Sequence, residues 1–186
     1  VVHELGVINA VSAELTPAQH QLLHANPNLR VRADRSVKTA GDVEETWYPT
    51  VSNAAALHRG GTLGAGVTIA VLDTGLWKKS ATQYTADQRE RILAQYDVIH
   101  GRLDPARYST GDFAQDIDDE SGHGTHVSAI AISSDVTEEG RYQGVSPSAN
   151  IVAVKAFAAD GSGTYADVIK GLDWIIANRE TYDIRV

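Results

Sequence analysis

Cysteine is absent from the chain, so neither a disulfide framework nor a thiolate metal site can be built, and the absence by itself says nothing of compartment. Basic residues are scarce. Lys and Arg total 16 against 24 Asp and Glu, for a net charge of −8. No basic run exceeds the short HRGG and WKKS patches at His58 to Gly61 and Trp77 to Ser80. The clustered cations that phosphate contacts need are missing, and no nucleic-acid partner is expected. Long apolar runs are also lacking: none approaches the roughly 18 residues that cross a bilayer. The opening VVHELGVINAV has no basic start and is broken by His3 and Glu4, so it does not read as a signal peptide. A soluble chain without a membrane partner is expected. Nothing resembles a phosphate-cradling glycine loop, since Gly161-Ser162-Gly163 lacks the lysine and the spacing. No internal repeat or low-complexity tract appears.

What the chain does have is 186 residues at 42% hydrophobic content, enough for one real core, alone or with a small extra piece, rather than a disordered chain. From Val1 to about Ala40 the pattern reads strand, helix, strand. Val7 to Leu15 is a mixed apolar stretch. Thr16, Pro17 and Gln19 then spell a capping box with proline in the first turn. After Asn26-Pro27-Asn28, the alternation of Leu29, Val31 and Ala33 predicts a half-buried strand to Val37. Lys38 to Pro49 is polar and charged, the composition of a linker.

Ser52 to His58 predicts a short helix stopped by Gly60 and Gly61, and Val67 to Leu72 is a continuous apolar run, the mark of a strand buried on both faces of a parallel sheet. Lys78 to Gln115 is polar and weakly patterned. It reads as surface excursions with one helix around Ala86 to Gln95. A helix opened by His123, a second buried strand over Ile151 to Phe157 and a helix capped by Ser162 or Thr164 follow. That last helix carries an apolar stripe at Val168, Ile169, Leu172, Ile175 and Ile176. Alternating strand and helix predicts a parallel α/β layer, with a further strand beginning at Tyr182.

Two short motifs carry chemistry. VLDTG at Val71 to Gly75 puts Asp73 at the carboxyl end of a buried strand, where ligands collect in open parallel sheets. An isolated DTG reads more readily as an Asx turn capping the next element than as a catalytic site. SGHGTHV at Ser121 to Val127 sets His123 between two glycines at a helix start. Such an end disfavours an imidazolium, so a proton-transferring His123 needs a carboxylate at its other ring nitrogen, and Asp73 is the candidate. The alternative for His123 is a surface cap, and His126 reads as a structural, buried or hydrogen-bonded ring. Zinc on His123 and His126 is set aside for want of the HExxH glutamate and a third ligand. The acidic stretch Asp112, Asp116, Asp118, Asp119 and Glu120 reads as a solvated loop or as oxygen ligands for calcium.

With Asp before His, and with GVSPSANIVAVKAF and DGSGTY following, the chain from about Ala55 onward resembles the subtilisin-like serine proteases, or subtilases. The resemblance implies an α/β, incomplete parallel-sheet subtilisin-like domain over residues 51–186, a linker or activation region over 41–50, and the C-terminal part of a partial α+β, ferredoxin-like pro-domain over 1–40. INAVSAELTPAQ at Ile8 to Gln19 carries the last of these. It further implies that Asp73 orients His123, the general base to a serine; that Asp119 lines the substrate cleft; that Gly161, Ser162 and Gly163 form the edge strand that pairs with peptide; and that Tyr165 adjoins a side pocket. Adding a strand to an exposed edge is a physically sound way to hold a peptide.

Ser128 and Ala129 depart from the family's alanine and glycine and imply a helix packed less closely. The serine and the oxyanion asparagine would follow Val186. The expectation is therefore a fragment of a secreted endopeptidase precursor, with peptide or protein substrate and its own pro-segment as partners. It is expected to be inactive alone, to need no cofactor beyond a structural calcium, and to be prone to self-association through an unpaired sheet edge. The alternative is a non-catalytic peptide-binding or folding module, a truncated pseudo-protease. Retention of both Asp73 and His123 favours the protease. A nucleotide-binding sheet would need a glycine-rich turn after Val67 to Leu72, and there is none.

Overall fold

The structure, a computed structural model, describes residues 2–38, 48–104 and 117–186. Its centre is a four-stranded sheet in the order β4 (Thr68–Asp73), β7 (Asn150–Lys155), β5 (Ile92–Asp97) and β6 (Arg102–Asp104). The first three are mutually parallel and β6 runs antiparallel to β5. The expected strand at Tyr182 reduces to a parallel bridge between Ile184 and Thr68, extended by Ala70 N–H to the Val186 carbonyl at 2.8 Å. It lies along β4.

Strand β7 shows why its apolar run has no alternation. Ile151 and Ala153 face one cluster with Leu76, Ile92 and Ile132; Val152 and Val154 face another with Val98, Trp174 and Ile175. Both faces are covered, by α5 (His123–Ile132) and α6 (Tyr165–Ala177) respectively. The mixed α/β architecture with a parallel sheet is thus the one expected.

The expected helix over Ala86 to Gln95 is wrong: Ile92–Asp97 is the strand beside β7, and Lys78 onward is not merely surface excursion. The polar residues that disguised it are buried. Arg91 is fully buried, its guanidinium donating to the carbonyls of Ile132, Tyr84 and Pro147. Burial pushes its pKa down to about 10. Gln95 and Asp97 are fully buried too. Hydropathy marks such residues as exposed, whereas here carbonyls take the Arg91 terminal nitrogens, with Nε left unpartnered among the described residues, and His100 and Arg102 take the Asp97 carboxylate.

In the first forty residues, β1 (His3–Leu5) and β2 (Ala10–Ser12) form an antiparallel hairpin, and α1 (Pro17–His24) starts on the expected capping box, Gln19 N–H donating to Thr16 Oγ1 at 3.3 Å. The strand expected from Leu29 is confined to β3 (Ser36–Lys38). Leu29 stays 48% exposed. The alternation there found no sheet to pack on; β3 instead pairs antiparallel with β8 (Ser162–Thr164). α2 (Tyr48–Val51) and α3 (Ala54–Arg59) precede β4, and α4 (Ser80–Gln83) follows it.

The stripe on α6 is also corrected. Leu172 and Ile176 remain 41% and 61% exposed, while Ala166 and Gly171 are buried. Gly171 lies against Leu72, Val154 and Val98, so the missing side chain lets the helix approach the sheet. On α5, Ser128 is fully buried and its hydroxyl has no hydrogen-bond partner among the described residues. An orphaned hydroxyl costs about 1–3 kcal/mol of desolvation. Ser128→Ala should therefore raise stability by about 1 kcal/mol, read as a higher midpoint in denaturant with an unchanged slope; a lower midpoint would mean the hydroxyl is paired.

Candidate active site

Asp73 ends β4 and His123 opens α5, and the fold brings the two to the same carboxyl edge of the sheet. The His123 Nδ1 to Asp73 Oδ1 distance is 2.7 Å, with side-chain exposures of 18% and 12%. The contact makes Nδ1 the protonated nitrogen of a neutral ring and leaves Nε2 as the acceptor. Asp73 Oδ1 also accepts the Thr74 N–H at 2.7 Å, which turns the carboxylate toward the ring.

The turn that carries Asp73 and the start of α5 are held together tightly. Gly75 has φ +128, and a Cβ there would run into the Asp118 carbonyl; one on Gly124 would run into the Gly75 carbonyl. Each glycine is thus required by contact with the other's segment. Thr74 links them: its hydroxyl accepts from Gly124 N–H at 2.8 Å and donates to Asp119 Oδ1 at 2.6 Å.

Asp119 is fully buried. Besides Thr74, its carboxylate accepts Gly122 N–H at 2.9 Å, Thr125 N–H at 2.7 Å and the Thr125 hydroxyl at 2.6 Å. It caps the first turn of α5, where a negative charge also complements the helix dipole. Burial alone would raise its pKa, but the hydrogen bonds from Thr125, Thr74 and the Thr125 and Gly122 backbone outweigh it and hold the carboxyl below its ordinary value. The resemblance implies that Asp119 lines the substrate cleft; its carboxylate is buried and its hydrogen bonds go to Thr74, Gly122 and Thr125.

A second buried carboxylate, Asp97, ends β5 on the same edge and is satisfied by His100 Nδ1 at 2.7 Å and Arg102 at 2.9 Å. Burial raises its pKa, and the Arg102 and His100 hydrogen bonds win and lower it. No sequence signal pointed to this pair. His126, expected to be structural, is exposed, with its Nε2 at 3.5 Å from the Tyr48 hydroxyl; α5 turns it away from the core.

The remaining residues implied by the resemblance lie along one edge. Ser162 and Gly163 belong to β8, with Gly161 just before it at φ +74. Register pairs Lys38 with Ser162, Val37 with Gly163 and Ser36 with Thr164. Tyr165 is 49% exposed, and its backbone N–H meets Asp34 Oδ1 at 3.1 Å and the Arg35 carbonyl at 3.2 Å. Thr164, not Ser162, caps α6, accepting Asp167 N–H at 3.1 Å; the Ser162 hydroxyl donates to Asp160 at 2.6 Å.

Compared with known protein families, residues 64–185 match the subtilase family model. The chain belongs to the subtilase family. It is 37% identical over 177 residues to serine protease AprX of Bacillus subtilis, covering 93% of this chain and 35% of that protein. It is 29% identical over 178 residues to a thermostable alkaline protease of Halalkalibacterium halodurans, covering 96% of this chain and 43% of the other. The fold of the Clostridium perfringens CspB protease superimposes with a TM-score of 0.57 at 22% identity, over 74% of this chain and 30% of that one. This subtilase chain spans 35% and 43% of the length of those two proteases.

Of the acidic stretch, Asp112 and Asp116 lie outside the described residues, as do residues 41–47 of the expected linker. Among the described residues no cluster of three or more His, Asp or Glu side chains is arranged to hold a metal ion, and no helix is long and apolar enough to cross a membrane. Thr74, Thr125 and Lys155 are the site residues that sequence reasoning missed. A signal was there for the last: one lysine inside the otherwise apolar IVAVKAF.

Proposed function

We propose that the chain is the part of a secreted serine endopeptidase precursor that supplies its general base and the aspartate that orients it. The observation that carries this is the 2.7 Å contact of Asp73 with His123 Nδ1 at the carboxyl edge of a parallel sheet, in a chain of the subtilase family. His123 Nε2 takes the proton of a serine hydroxyl as that serine attacks the scissile carbonyl, then returns it to the leaving amine; Asp73 stabilises the imidazolium between the two steps. Peptide or protein substrate adds a strand to β8 at Gly161, Ser162 and Gly163, with Tyr165 beside it. The antiparallel lie of β3 on β8 supports residues 1–40 as a pro-segment that occupies this edge before activation.

On this reading the nucleophile and its oxyanion donor belong to sequence after Val186, and the 186 residues alone are inactive. Each of those groups supplies several kcal/mol of transition-state stabilisation. The test is a fluorophosphonate probe. It should leave the mass of the 186-residue chain unchanged, and in a longer product of the same reading frame it should label one serine after position 186, with casein hydrolysis lost in His123→Ala. A stoichiometric adduct within residues 1–186, or full hydrolysis by His123→Ala, would overturn the proposal.

A further inference from the structure

Lys155 ends β7 in register with Asp73 on one side and Asp97 on the other. It is 5% exposed. All three of its ammonium donors are used: to the Thr74 carbonyl at 2.8 Å, to the Asp118 carbonyl at 2.9 Å and to the Glu120 carboxylate. Thr74 follows Asp73 directly, and Asp118 to Glu120 is the segment that leads into His123. Taking an ammonium out of water costs several kcal/mol, and apolar side chains commonly replace buried ions without loss of stability. Every other residue of β7 from Ile151 to Val154 is apolar and buried. A lysine at this one position therefore asks for a reason other than the core.

We propose that Lys155 is a positioning residue for the Asp73 and His123 pair, bridging the turn that bears one to the segment that bears the other and so setting their separation. The proposal rests on the proteolytic reading above. Thr74 is gripped twice, its carbonyl by the Lys155 ammonium and its hydroxyl by the Asp119 carboxylate. One grip fixes the peptide after Thr74, where Gly75 meets Asp118; the other ties the Thr74 side chain to the first turn of α5. Both groups are buried.

The test uses the full-length protease with Lys155→Met, which keeps the stem and removes the three donors. Misplacing reacting groups by about 1 Å costs on the order of 10²-fold; kcat should fall on that scale with KM within about threefold. Glu120→Gln, whose side chain is 56% exposed, keeps Lys155 in place and should fold whether or not the methionine variant does. Loss of an exposed ion pair is worth about two- to fivefold, and kcat should fall by that much with KM unchanged. A folded methionine variant with wild-type kcat overturns the proposal, as does a glutamine variant with wild-type kcat. A wild-type enzyme no more active than His123→Ala in the same assay overturns the proteolytic reading itself, and the positioning role with it.

Discussion

Replacing Asp73 by asparagine should lower kcat of the protease by about 10⁴-fold while leaving the fold intact, the scale on which loss of a triad aspartate acts. Asparagine fills the same volume at the end of β4, and its carbonyl still accepts the Thr74 N–H that Asp73 Oδ1 now takes at 2.7 Å. The charge is lost. His123 sits at N1 of α5, where the helix dipole works against a positive ring. With the carboxylate gone, the ring loses the counter-charge at its own Nδ1 when the imidazole takes a proton. Steady-state kinetics on a peptide amide, with a denaturant melt as control, decides it: kcat above a tenth of wild type in a variant of unchanged stability would remove Asp73 from the mechanism.

Much of this site was legible because its two ends lie in short motifs with distinct local causes. Asp73 closes a run of apolar residues, and strand ends are where open sheets present their chemistry. His123 follows a glycine at φ +81 that ends one chain direction and begins a helix. What joins them was not legible, since it is made by residues far apart in sequence that look ordinary one at a time. Thr74 and Thr125 read as turn and helix residues; only the fold aims both at Asp119. The same holds for β5, where Arg91, Gln95 and Asp97 spoil the apolar pattern of a strand buried beside β7. Periodicity assumes that buried means apolar, whereas Arg91 and Asp97 are buried with specific partners on their terminal polar atoms. The errors in α6 and at Leu29 run the other way, apolar residues left exposed where nothing among the described residues covers them.

Gly124→Ala should separate His123 from Asp73 and reduce kcat by at least about 10²-fold, although the same change stabilises most helices. Alanine exceeds glycine by about 1 kcal/mol in a helix interior. Here the new methyl group would be driven into the Gly75 carbonyl, with the Gly75 nitrogen at 3.0 Å and Asp73 Cβ at 3.1 Å. These are backbone and near-backbone atoms, which cannot rotate away. Relief comes only by moving α5 off the Asp73 turn, which breaks the 2.8 Å bond from Gly124 N–H to Thr74 and lengthens the 2.7 Å contact at His123. Overpacking of this kind costs about 1–3 kcal/mol, more than the propensity gain. Gly171→Ala is the control. There the nearest atom is a Leu72 methyl, the end of a flexible side chain, on the face of the sheet that carries α6. That variant should lose stability and keep kcat, whereas Gly124→Ala should lose both. Wild-type kcat in Gly124→Ala would mean that the separation of Asp73 and His123 does not depend on the close approach of their two glycines.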